Sequence, residues 1–552
     1  MKVLAAALGN CVHVAGVQAF LELAKTEGYE SIFLGPAVPV ERLVEAIKEH
    51  NPDLVAIGYR LSPESAKIIL DELKMHLIAD SSLANRRFMF GGTPPVSALA
   101  KESGLFEAVF DGNQSRDEIL AALTRQPHHE VSKALGQDLE SRIRGSYPYP
   151  LIRHHFGLPS LEDTITGARR IAESRMVDIL SLAPDQNAQE SFFRPGEMDE
   201  KLSGSGGVPI RKPEDLMALR EATRTGNHPL LRCYSGTRDL VKWGEMLKRT
   251  IDVAWGAVPL FWYSELDGRS RRTLKDSIAE NQQAIRWYAD NSIPVEVNDS
   301  HQWALRGCGD TIELAAAYLA AYNAKALGVK TYVCQFMFDT PKGISPAMDL
   351  AKMLAKAKLV ESLASGSFHV VRMVRPGLAS MSTWGHLAKG QLAASIFNSM
   401  ALRPHIVHVV GFSEADHAST AEELIESCAI SRGAVEKALL GLPRIDVDPA
   451  VSSRKEALLA DVDLLIGAIK RVGLKYTGDP LTSPDTLAEA VRLGLLDAAD
   501  LRGGKIARGA IVTKIIGGAC VTIDKTSGKP IEEAERIDQL ASSEEDLDLT
   551  EL

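Results

Sequence analysis

Over the first 126 residues, short apolar runs alternate with amphipathic stretches. The runs fall at 2–8, 31–34, 53–58, 86–90 and 106–110, and helical periodicity follows at 16–27, 39–50, 63–77, 96–103 and 115–124. Strands alternating with helices at this short repeat predict a doubly wound parallel sheet. Ser62-Pro63 and Asn113-Gln114-Ser115 supply helix starts. Residues 127–148 carry Pro127-His128-His129 and Gly145-Ser146-Tyr147-Pro148 and read as a linker. From 149 to 440 the alternation resumes. Strand-like runs fall at 150–154, 177–182, 229–234, 252–262, 293–299, 330–337, 368–375 and 405–411. A helical stretch follows each: 160–174, 212–224, 238–250, 271–290, 310–328, 345–364, 386–402 and 418–440. In 310–328, Ile312, Ala315, Ala316, Leu319 and Ala320 share a face and Gly328 ends the helix. Eight such units predict a (β/α)8 barrel. Residues 441–531 form a smaller α+β unit. Ser483-Pro484 opens a helix there, and Gly503, Gly504, Gly509, Gly517 and Gly518 mark turns between short strands. Gly503-Gly504-Lys505 lacks the spacing of a Walker loop, and the unit reads as a lid or dimer-contact element.

Composition narrows the class. Apolar residues make up 45% of the chain and charged residues 24%, an ordinary globular balance. No apolar run approaches the ~20 residues of a membrane helix. The net charge of −10 argues against nucleic acid as a ligand. Most of that charge lies in 532–552, which reads as an acidic, solvated tail on a nearly neutral body. The six cysteines are dispersed, with no C-x-x-C pair, so disulfides and structural zinc are not expected and a cytoplasmic setting is.

Candidate chemistry collects at strand ends. In a doubly wound sheet ligands bind beyond the carboxyl ends of the strands. There the first strand is followed by Cys11-Val12-His13-Val14-Ala15-Gly16, the third ends near Gly58, and the fourth ends in Gly91-Gly92-Thr93. In a barrel the chemistry likewise sits at the carboxyl ends. That rim offers His154 and His155, Tyr234, Asp299 and His301, Gln335, Arg372 and Arg375, and Glu414. His405 and His408, three apart in an extended run, face opposite sides, and no histidine pair at helical spacing suggests a second metal centre.

The first 126 residues resemble a flavodoxin-like cobalamin-binding domain, whose signature is D-x-H-x-x-G after the first strand and Gly-Gly after the fourth. The resemblance implies cobalt ligation by His13, with Gly16, Gly58, Gly91, Gly92 and Thr93 against the cofactor. Cys11 stands where that family has the Asp that orients the histidine. The barrel resembles, more distantly, the large subunit of glutamate mutase, through Val177-Asp178-Ile179-Leu180, Pro229-Leu230-Leu231-Arg232, Gly236-Thr237, Ala326-Leu327-Gly328-Val329-Lys330-Thr331 and Ala490–Asp497. It implies an adenosylcobalamin-dependent radical mutase acting on a small amino or hydroxy acid, as a homodimer. The family's carboxylate-gripping arginines fall at His155 and Tyr234, and its acidic partner falls at Asp299. Asp299, Glu414 and Tyr234 are then the catalytic candidates, and His155, Gln335, Arg372, Arg375 and His301 the substrate-binding ones. A methylcobalamin-dependent methyltransferase and a non-catalytic corrinoid-binding protein are the alternatives.

Overall fold

The computed structural model describes residues 1–542 apart from 85, 115, 126–135 and 235, and divides into two compact units, Met1–Val131 and Ser132–Leu552.

The first unit holds five parallel strands: β1 Lys2–Leu8, β2 Glu30–Val38, β3 Leu54–Tyr59, β4 Arg87–Gly92 and β5 Ala108–Phe110. Their order is β2-β1-β3-β4-β5. Both faces of β1 are covered, which is why its sequence is an unbroken apolar run. Val3 and Ala5 pack with Val17, Leu21, Leu120 and Leu123, whereas Leu4, Ala6 and Leu8 pack with Leu43, Ile47, Leu70 and Leu73. The strand order reverses beside β1, so the crevice for a ligand opens between the loops after β1 and β3.

The second unit contains β6 Leu151–Phe156, β7 Ile179–Leu182, β8 Leu230–Cys233, β9 Gly256–Val258, β10 Val295–Val297, β11 Thr331–Phe338, β12 His369–Pro376 and β13 Ile406–His408. All pairings are parallel, in the order β8-β7-β6-β13-β12-β11-β10-β9. That order is the chain order wrapped into a ring. At its seam the Ala254 amide donates to the Leu231 carbonyl at 2.8 Å. The eight strand-and-helix units are the expected barrel.

Three segments differ from the sequence reading. Within the supposed linker, Leu139–Ser146 is a helix started by Asp138, whose side chain accepts from the Ser141 amide. Its Leu139 and Ile143 join Leu151, Ile179, Val333, Val371 and Ile406 to close the barrel floor; residues 127–135 lie outside the described residues. In 441–531 the largest element is a helix, Pro449–Gly473, packed on the barrel helices Asp310–Ala326 and Pro346–Glu361. The glycine-rich part does form a hairpin, β14 Thr513–Ile516 with β15 Ala519–Thr522. The start of the acidic tail is a docked helix, Glu533–Ser542. Its Arg536 is buried, pairs with Glu533 at 2.6 Å, and donates to the Gly494 carbonyl at 2.9 Å. Residues 543–552 lie outside the described residues. Among the described residues no helix is long and apolar enough to cross a membrane.

Candidate functional site

In the first unit the site is built at the strand-order reversal. β1 ends at Leu8, and Gly9 turns the chain at φ +64°, where a Cβ would meet Ile69 Cδ1 at 2.3 Å. Asn10 Oδ1 accepts the Tyr59 hydroxyl at 2.9 Å, tying this loop to the end of β3. Cys11 is buried and its Sγ lies 3.8 Å from His13 Nδ1, while the His13 ring is exposed. The glycines fall into two kinds. A Cβ on Gly58 would sit 2.4 Å from Val17 Cγ2, and one on Gly92 would sit 2.6 Å from the Tyr59 carbonyl, so both are required by packing. Gly16 and Gly91 have nothing within 4 Å of that position and present bare backbone surface. Thr93 precedes the helix Pro94–Ser103 without spending its hydroxyl on a cap.

The barrel interior carries a layer of charge below the rim. Arg153 and Arg232 are almost completely buried, and both approach the buried Glu296. Arg232 Nη2 donates to Glu296 Oε2 at 2.9 Å, and Arg153 Nη1 stands 3.8 Å from the same oxygen. Trp255 Nε1 also donates to it at 2.8 Å. Both guanidiniums lie over the Trp255 ring, at 5.3 and 5.8 Å. Burial raises the Glu296 carboxyl, but the two arginines outweigh this and hold it below its ordinary value.

Above this layer, Arg153 Nη2 approaches His155 Nε2 at 3.2 Å, and the Tyr234 hydroxyl reaches the same nitrogen at 2.9 Å. A guanidinium only donates, so Nε2 is the acceptor and the His155 proton sits on Nδ1. That buried N–H has no partner among the described residues. Arg232 Nε and Nη1, Gln335 Nε2, His301 Nδ1 and His408 Nδ1 are likewise unpartnered there. Gln335 is in register with Met373, whose sulfur accepts from Arg153 Nη1 at 2.9 Å, so both side chains face inward. Arg375, two residues on, faces the same way, with Nε donating to the Pro376 carbonyl at 3.2 Å. Burial, reinforced by these guanidiniums, holds His155, His301 and His408 well below the usual imidazole range. Two guanidiniums therefore share one carboxylate, a third faces the same interior, and the imidazoles add no charge.

The other predicted residues divide. Glu414 Oε1 accepts the Gly411 amide at 2.7 Å and lies 3.5 Å from His154 Nε2. His154 Nδ1 donates to the His155 carbonyl at 2.6 Å, so its Nε2 faces the carboxylate with a lone pair. Asp299 is fully buried beneath the rim and accepts the backbone amides of Leu260 and of Phe261, the latter at 3.2 Å. Burial pushes its carboxyl up to about 7. It fixes the loop after β9 and does not point at the arginines' compartment. Arg372 is a correction: it has the opposite parity to Met373 and Arg375, points out to the helix layer, and binds Glu361 at 2.5 Å and the Leu402 carbonyl at 2.6 Å. Ser235 lies outside the described residues. Reading strand ends alone misses Arg153, Arg232, Glu296, Trp255 and His408. The signal for the arginines was present: each stands two residues before a predicted site residue, His155 or Tyr234, and so shares its face.

Comparison with known proteins bears on the first unit. Residues 1–122 match the family model of the B12 binding domain. No curated protein matches the chain. Among solved structures, it is similar to a cobalamin-binding protein from Desulfitobacterium hafniense DCB-2, at 24% identity and a TM-score of 0.20. That match covers 22% of this chain and 57% of the other, so the chain spans little more than half that protein's length. 2,3-Dimethylmalate lyase, a PEP mutase/isocitrate lyase superfamily member, matches at 15% identity and a TM-score of 0.28, over 60% of this chain and 98% of that one. The cobalamin-dependent S-adenosylmethionine radical enzyme OxsB with aqua-cobalamin bound matches at 10% identity and a TM-score of 0.18, over 85% of this chain and 68% of that one. The first unit of this chain is a B12-binding domain.

Proposed function

We propose that the chain is an adenosylcobalamin-dependent mutase that rearranges the carbon skeleton of a small anionic amino or hydroxy acid. The observation that carries the substrate class is the excess of cations inside the barrel: Arg153 and Arg232 share Glu296, Arg375 faces the same interior, and buried donors are left over. Unpaired buried charge is costly unless a counter-charge arrives, and a guanidinium fork suits a carboxylate.

The first unit's residues fit a corrin. His13 presents an exposed imidazole whose Nδ1 is turned to the Cys11 thiol, and the bare backbone at Gly16 and Gly91 admits a flat macrocycle at close range. His13 would hold the cobalt, with Gly58, Gly92 and Thr93 shaping the bed. When bound in the adenosyl form, the cofactor supplies radicals by homolysis of its cobalt–carbon bond.

The barrel's own residues do the rest. Arg232 and Arg375 bind the substrate carboxylate. Gln335 and the His155 and His301 N–H groups orient it. The Tyr234 hydroxyl donates to His155 and so offers its oxygen as an acceptor at the substrate's edge, and the closed apolar floor keeps water from reactive species.

The test is electron paramagnetic resonance of the reconstituted chain across a panel of amino and hydroxy acids. A substrate-dependent radical signal is expected, and Arg232→Met should lower kcat/KM by ~10²-fold or more, the cost of breaking a buried charge contact. Absence of a radical signal with every acid, or methyl transfer from methylcobalamin, would refute the reading.

A further inference from the structure

A groove of about 650 Å³ opens on the barrel unit, outside the compartment just described. Its walls are the loop 265–271 after β9, Arg306, and the segment 500–505. That segment is built onto the rim: the Asp500 amide donates to the Arg306 carbonyl at 3.1 Å. Four cations line the groove, Arg271, Arg306, Arg502 and Lys505, together with three carboxylates, Glu265, Asp267 and Asp500.

Two of the carboxylates are engaged by the fold. Glu265 accepts the Leu274 amide at 2.9 Å. Asp267 accepts the amides of Tyr263 and Ser264 at 3.2 and 3.1 Å and lies 3.9 Å from Arg306 Nη2. The cations are less engaged. Arg306 is positioned over Trp262 at 4.2 Å, with Nη1 donating to Gln302. Arg502 spends only Nε, on the Gly509 carbonyl at 3.4 Å. Arg271 and Lys505 make no hydrogen bond or ion pair to any other described residue. Gly503 takes φ +81°, a turn that brings Lys505 to the groove beside Arg502.

We propose that this groove binds a polyphosphate-bearing small molecule of the size of a nucleoside diphosphate. Its volume lies in the range of small-molecule sites, roughly 300–1,000 Å³. Several converging cations with two of the three local acids already occupied suit an anion of multiple charge, which guanidinium and ammonium groups grip by charge-assisted hydrogen bonds. The Gly504 amide already donates to the Leu501 carbonyl at 3.0 Å, so the grip comes from side chains and not from a phosphate-cradling backbone. The loop that walls the groove also carries the Leu260 and Phe261 amides fixed by Asp299, so occupancy bears on the rim of the barrel.

Isothermal titration calorimetry of the full chain with ADP, pyrophosphate and citrate tests this. ADP and pyrophosphate are expected to bind, with citrate at least ~10-fold weaker. The double variant Arg271→Gln/Lys505→Gln should lose ~10-fold or more in affinity for both phosphates, as expected for deleted charged contacts. Its melting temperature should be unchanged, and Lys437→Gln, on a distant exposed helix face, should bind as the parent does. Absence of binding by both phosphates, citrate binding as tightly as pyrophosphate, or full affinity in the double variant would overturn the proposal.

Discussion

At the scale of single residues, parity along a strand decides what a side chain is for. Met373 and Arg375 face the barrel interior while Arg372, of the opposite parity, reaches outward to Glu361. The sequence reading gathered polar residues near strand ends and so joined Arg372 to the site. It also passed over Arg153 and Arg232, which lie inside runs that look like plain strand. Asp299 shows the other limit: a carboxylate at a strand end that the fold spends on two backbone amides. Burial places it at about 7, far above an unfolded aspartate near ~3.9. A carboxyl raised by folding binds its proton more tightly in the folded state, so its contribution to stability is full below about pH 4 and is lost as the pH climbs to about 7. Asp299→Asn cannot titrate and, like the protonated acid, can accept only one of the two amides well. It should lie within ~1 kcal/mol of the parent below about pH 4 and become the more stable of the two as the pH rises toward 7. Urea midpoints across that range measure it, and a gap independent of pH would show that Asp299 is already ionised in the fold.

Elements were easier to read than residues. All eight barrel strands and their helices follow from periodicity because each strand is buried on both sides and each helix shows one face to the sheet. Two of the helices that escaped did so for separate reasons. Pro449–Gly473 lies in a region read mainly by its glycine turns. Leu139–Ser146 is short and flanked by breakers, so its sequence resembles a linker although Asp138 caps it. Its function appears only in three dimensions, where Leu139 is 2% exposed at the barrel floor among the first inward residues of several strands. Leu139→Ala should therefore cost ~2–5 kcal/mol, as core truncations do, seen as a lower denaturant midpoint at unchanged slope. A loss below ~1 kcal/mol would mean that the helix merely rests on the barrel and does not seal it.

At the scale of the whole molecule, each unit carries its own core. The first unit has two apolar clusters, one on each face of its sheet, drawn from residues between Val3 and Leu123. The second unit has its outer and floor clusters, drawn from residues from Leu139 onward. Cores that share no residue unfold in separate cooperative steps, so calorimetry of the full chain should show two transitions. Cobalamin bound to the first unit stabilises it by mass action, ~2.7 kcal/mol at a hundredfold excess over Kd, and should raise one transition alone. His13 is exposed, and among the described residues its side chain's one hydrogen-bonding partner is the Cys11 thiol. His13→Ala should then leave the apo transition within ~0.5 kcal/mol of the parent, reduce the cobalamin-induced rise, and abolish the spectral signature of histidine-bound cobalt. The three readouts separate the alternatives. A variant that loses apo stability would make His13 a structural residue, and one that keeps the parental spectrum would remove it from the cobalt. A single transition that moves as a whole on adding cobalamin would show that the two units fold as one.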